Sequence, residues 1–145
     1  MANCNVFALV GSLFSLHTKV VVGVSFGLSM KAGEGEITAL EVEDFSVRAN
    51  LDIDRAGVKF SGTLNISLHH LLGWPTWRLV VQKDEHEVEF DVTCTPVADG
   101  FSLATPSGTI EVVRSGERLW FKNIHLSEWV PGGPDLNVDF YIEKA

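Results

Sequence analysis

Two stretches of this chain set tryptophan beside proline and glycine: Leu72-Gly73-Trp74-Pro75-Thr76-Trp77 and Ser127-Glu128-Trp129-Val130-Pro131-Gly132-Gly133-Pro134-Asp135. Both interrupt an otherwise regular pattern. A large ring in a loop has two natural fates: it plugs the end of the fold, or it borders a binding mouth and meets a ligand with its apolar face. Trp74, Trp77 and Trp129, with His70 just before the first stretch, are therefore the candidate ligand contacts. They imply an apolar or amphiphilic small molecule, since a site of this kind is mostly apolar with a few polar groups.

Other residues with chemical capacity have weaker spacing. Glu87, Glu89 and Asp91 share one face of a strand pattern. Alternate strand residues stand about 6.6–7 Å apart, too far to share a proton, and a charged outer face also discourages edge aggregation. Asp52 and Asp54 flank a turn, as do Asp84 and His86, but two carboxylates supply too few oxygens for a hard cation. His17, His69, His70, His86 and His125 show no His-x₃-His spacing, and no Cys-x₂-Cys is present, so no metal or cofactor is expected. No phosphate loop, dinucleotide fingerprint or nucleophile elbow occurs. No catalytic residue is selected, and the reading leans away from an enzyme.

The elements that must carry these residues alternate with period two. Val20, Val22, Val24, Phe26, Leu28 and Met30 fall on one face, with Gly23, Ser25, Gly27 and Ser29 opposite. Phe45, Val47, Ala49, Leu51 and Ile53 alternate with Ser46, Arg48, Asn50 and Asp52. Val58, Phe60, Leu64, Ile66 and Leu68 follow a turn that ends in Gly57. The second half repeats this with Trp77, Leu79 and Val81, then Val88, Phe90, Val92 and Cys94, and finally Leu136, Val138, Phe140 and Ile142. About nine or ten strands with short hairpin turns result. No strand–helix–strand alternation is present, so the fold is all-β, an antiparallel β-barrel or β-sandwich formed by residues 1–145 as a single domain. Residues 6–16 are expected to be a strand, because Gly11 and the Val/Phe content disfavour helix.

Composition sets the outer limits. The 145 residues carry a net charge of −8, which argues against a nucleic-acid partner. No apolar run reaches the roughly 20 residues of a membrane-spanning helix. Two cysteines are too few for a disulfide scaffold. Cys94 lies on the apolar phase and is expected to be a buried, inert thiol, meeting Cys4 only if the first segment passes it. A cytoplasmic protein is the expectation, because the first stretch lacks the basic start of a secretory signal. Residues 1–30 hold one charged side chain, Lys19. That implies either burial or a surface for self-association. Three functions follow: a carrier of an apolar or amphiphilic molecule, a homo-oligomeric structural or adaptor protein, and a carbohydrate-binding module.

Overall fold

The computed structural model describes residues 4–25, 29–55, 58–70, 73, 76–129 and 135–145. Ten strands dominate: β1 (Lys19–Ser25), β2 (Ser29–Leu40), β3 (Asp44–Arg55), β4 (Val58–His70), β5 (Trp77–Lys83), β6 (His86–Val97), β7 (Gly100–Thr105), β8 (Gly108–Ser115), β9 (Arg118–His125) and β10 (Asn137–Lys144). Each pairs antiparallel with the next, and β1 pairs with β10 through Val20↔Lys144, Val22↔Ile142 and Val24↔Phe140. The sheet thereby closes into a barrel and leaves no edge strand.

The alternating residues sort cleanly between the two faces. Val47, Ala49, Leu51 and Ile53 are buried on the inside of β3, while Arg48, Asn50 and Asp52 stand in solvent. Glu87, Glu89 and Asp91 lie on the outer wall of β6, where Asp91 meets Arg78 Nε across the strand pair at 3.6 Å. An apolar lumen with a charged outer wall is the reverse of a membrane-spanning barrel. Among the described residues no helix is long and apolar enough to cross a membrane.

Curvature comes from β2. A Cβ on Gly33 would fall 1.9 Å from the Asn50 carbonyl oxygen, and one on Gly35 would fall 2.2 Å from that of Arg48. Only glycine lets β2 bend this closely over β3. Register shifts at Val22/Gly23 and at Ile37/Ala39 add to the bend. The small-residue face of β1 accepts a neighbour's ring: Gly23 pairs with Tyr141, and a Cβ there would fall 2.0 Å from the phenol. Arg118 lies 4.0 Å from the centroid of the same ring, and Trp120 packs beside it at 4.9 Å.

Two expectations are corrected at the N-terminus. Residues 6–16 are not a strand: Val6–Val10 form a helix, α1. The Asn5 side chain caps it by accepting from Ala8 N at 2.9 Å, and Val6 and Val10, one turn apart, are both buried. Five residues are too few to form a helix by propensity, so packing holds this one. Cys94 is not a free thiol: it is joined to Cys4, with the two Cα atoms 6.2 Å apart. The lack of charge in residues 1–30 coincides with burial, because Val6, Val10, Leu13, Phe14, Val20, Val22 and Val24 all enter the core.

The strand order gives the barrel two distinct rims. The α1 rim carries the β2–β3, β4–β5, β6–β7 and β8–β9 connections. The opposite rim carries β1–β2, β3–β4, β5–β6, β7–β8 and the longer β9–β10 connection, which opens with the helix α2 (Leu126–Trp129).

Candidate functional site

The candidate contacts do not converge. Trp77 ends the first tryptophan stretch and opens β5, and its ring is buried. His70, its cross-strand partner, stacks on it with centroids 4.8 Å apart and places Nδ1 3.2 Å from Glu43 Oε1. This pair sits at the α1 rim. Trp129 is at the other rim, 3% exposed at the end of α2. Trp74 lies outside the described residues. Neither Trp77 nor Trp129 offers a free face to solvent, which removes both as exposed sugar platforms.

Trp129 nevertheless marks the most site-like region of the molecule, because two hollows meet at its ring. One lies inside the barrel, between α1 and Trp129. Val6 and Val10 close it from one side and Trp129 from the other, with Phe45, Leu103 and Ile110 among its walls. No polar surface lines it, and its volume is about 20 Å³. That is room for no more than one or two water-sized groups, and without polar partners such a hollow stays dry. Eight strands enclose a lumen that side chains just fill, and barrel width grows with strand number. A ten-stranded lumen is wider, and here the side chains of α1 and Trp129 take up the extra space.

The second hollow, about 70 Å³, opens at the α2 rim. Phe90, Ile110 and Trp129 supply its apolar wall, and Ser107, His125 and Glu128 are among its polar residues. Ile110 and Trp129 belong to both hollows. Two side chains thus separate a polar mouth from an apolar interior.

The polar groups of the mouth are set by a bulge. Lys122 and Asn123 of β9 oppose the single residue Asp139 of β10, and the register shifts between Val138 and Phe140. Asn123 adopts φ 69°, a left-handed conformation that asparagine tolerates better than most residues. Its amide N–H donates to Asp139 Oδ1 at 2.9 Å, and its side chain turns into a chain of hydrogen bonds. Asn123 Nδ2 donates to the Thr109 carbonyl at 2.9 Å, which leaves Asn123 Oδ1 to accept from Asn137 Nδ2 at 3.1 Å. Asn137 Oδ1 then faces His125 Nδ1 at 2.7 Å, and Asp135 Oδ1 faces His125 Nε2 at 2.6 Å.

A main-chain carbonyl accepts only, so it fixes the direction of the whole chain. His125 meets an acceptor at each ring nitrogen, and only its protonated form donates to both. Its pKa is accordingly raised, first by the hydrogen bond to Asn137 and then by Asp135, against the opposing effect of burial. Leu126 N donates to the Leu136 carbonyl at 3.0 Å and ties the foot of the connection.

Ser107 donates its hydroxyl to Glu128 Oε2. Both ring nitrogens of His125 are engaged elsewhere, so the hydroxyl–imidazole pair of a nucleophilic enzyme is not assembled.

A larger hollow of about 590 Å³ lies on the outer wall of β1–β4, over the bend at Gly35. Its charges neutralise one another: Glu36 contacts His17 and Lys19 at 3.5 Å each and Arg48 at 3.9 Å. Exposed pairs of this kind are screened and weak, and they need no ligand to satisfy them.

Ser107, Asn123, His125, Glu128 and Asn137 carried no spacing signal. Pro106-Ser107-Gly108 reads as an ordinary turn and His125 as one histidine among five. The one usable pointer was the break in pattern around Glu128 and Trp129. No protein family, curated protein or solved structure matches the chain.

Proposed function

We propose that this barrel is a non-enzymatic carrier of an apolar or amphiphilic small molecule. The tail enters the lumen past Trp129, and the polar end stays in the mouth at the α2 rim. One observation carries this reading: the polar hollow and the wholly apolar hollow share Ile110 and Trp129 as their partition. Polar groups gathered at the mouth of an apolar barrel are the usual form of a small-molecule site. The resting lumen is too small for a chain, so uptake requires Trp129 or α1 to move. Trp77 and His70 then act at the closed end, as packing for the lumen rather than as contacts.

Native mass spectrometry of protein purified without refolding, before and after incubation with decanol, tests the carrier. A one-to-one adduct is expected, more abundant in Trp129→Leu, where the partition is thinner. Absence of adduct in both forms would contradict the reading.

Homo-oligomeric assembly is the second reading, and a specific observation favours it. The exposed large apolar side chains Phe7, Leu16, Val42 and Val97 all lie at the α1 rim. Such a grouping is the usual mark of a contact surface. A mass above 15.9 kDa in solution that falls on Phe7→Ser would support it.

The disulfide also bears on location. The cytoplasmic expectation rests on the missing basic start of a secretory signal, yet the Cys4–Cys94 pair fixes α1 against β6. Such bonds persist in oxidising compartments and are rare in the cytosol. We therefore place the working form of the protein in an oxidising environment.

A further inference from the structure

Resting on the carrier reading, we infer that the mouth at the α2 rim selects a cationic head group, an alkylammonium, over an alcohol or a carboxylate. Of the three charged side chains at this mouth, His125 and Asp135 are committed to each other, Nε2 to Oδ1 at 2.6 Å. Glu128 is left, and among the described residues its partner is the neutral hydroxyl of Ser107. No lysine or arginine is among the residues that line the mouth. Asp139 close by is taken up by the Asn123 main-chain N–H. The balance at the mouth, two carboxylates around the one imidazolium of His125, is therefore one negative charge in excess.

The neighbouring surfaces agree with that charge. The Trp129 ring lines the same hollow, and indole is the best aromatic partner for a cation. Behind it the lumen presents no polar surface. A carboxylate head would face Glu128, and the basic side chain at the mouth, His125, is already engaged by Asp135; drawn deeper, the head would lose its hydration without compensation. By the same measure of room per water, 70 Å³ accommodates about five heavy atoms, enough for an amine with its first carbons. The structure thus recognises charge sign at the rim and apolar length in the lumen.

Isothermal titration with decylammonium, decanol and decanoate, three probes with one tail length, tests this at neutral pH and fixed ionic strength. Decylammonium is expected to bind about tenfold more tightly than decanol, the gain of one charge-assisted contact, with decanoate the weakest. Glu128→Gln should abolish the preference, bringing decylammonium to the affinity of decanol. Glu89→Gln, on the outer wall, removes the same net charge and should leave the ratio intact. Equal binding of decanoate and decylammonium, or a ratio that survives Glu128→Gln, would overturn the head-group assignment while the carrier stands. Failure of all three probes on both wild type and Trp129→Leu would overturn the carrier itself.

Discussion

The two rims of the barrel are closed by opposite means. At one, α1 lays Val6 and Val10 into the lumen and is fastened covalently, because Cys4 is bonded to Cys94 on β6. At the other, Trp129 fills the lumen from α2, and the hydrogen bonds of His125 to Asn137 and Asp135 tie the end of β9 to the residues that open β10. The exposed apolar side chains gather at the first rim and the polar cluster at the second. A covalent tie leaves a plug in place across changes of pH. A tie through a protonated imidazole is conditional on solution conditions. On the carrier reading, the second rim is the one that opens.

The largest effect expected from breaking this contrast is at the disulfide. It closes a loop with a sequence separation of 90, and removing such a crosslink costs about 4–5 kcal/mol in the chain-entropy account. Cys4→Ser with Cys94→Ser, followed by urea unfolding, should show that loss. A change under 1 kcal/mol would mean that packing alone holds α1. Trp129→Ala comes next. Truncating a buried tryptophan typically costs about 3–5 kcal/mol, and the low end is expected here because the site borders a hollow open to solvent. Equilibrium unfolding measures it, and an unchanged midpoint would show that the ring does not plug the lumen.

A smaller effect belongs to the α1 cap. Asn5→Ala removes the acceptor for Ala8 N and should cost about 1 kcal/mol by thermal unfolding. Adding this change to the cysteine double variant should cost less, because the untethered plug is already loosened.

The subtlest test concerns pH, and here the response should be confined to the α2 rim. His125 has a raised pKa, so its contribution is complete below the ordinary histidine value of about 6.5 and is lost as pH rises through its higher folded value. The α2 rim should therefore be tightest in mild acid and loosen above neutrality, while the α1 rim stays put. An NMR titration of the His125 ring should give a midpoint above about 6.5, and Asn137→Ala should lower it. A midpoint at or below the ordinary value would remove the conditional latch. Asp84 responds in the opposite direction. Its pKa is lowered, chiefly by the hydrogen bond from Thr63 N, so its contribution holds above the ordinary aspartate value and fades only as pH falls through its lower folded one.

Strand positions and their inward faces were readable because a strand repeats every two residues, and Val47 to Ile53 or Ile66 and Leu68 need no partner to declare their phase. Closure was not readable. Alternation reports faces, whereas barrel against sandwich turns on Val20 meeting Lys144 and on Gly33 and Gly35 passing close to β3. Helix α1 was misread because five residues hold little more than one turn, and its burial and disulfide come from distant strands. The mouth was hidden for a similar reason. Its polar chain runs through Thr109, Asn123, Asn137, His125 and Asp135, brought together by strand pairing and by a one-residue bulge. Among the described contacts Trp129 lies in that region, and it serves there as the partition, whereas Trp77 and His70 lie at the other rim.

The most direct test of the account is a methyl NMR titration with decanol. The account predicts shifts at the lumen methyls of Ile66, Leu103, Ile110 and Val112 together with the Trp129 indole N–H. Shifts confined to Phe7, Leu16, Val42 and Val97 at the other rim, or no shifts at all, would contradict it.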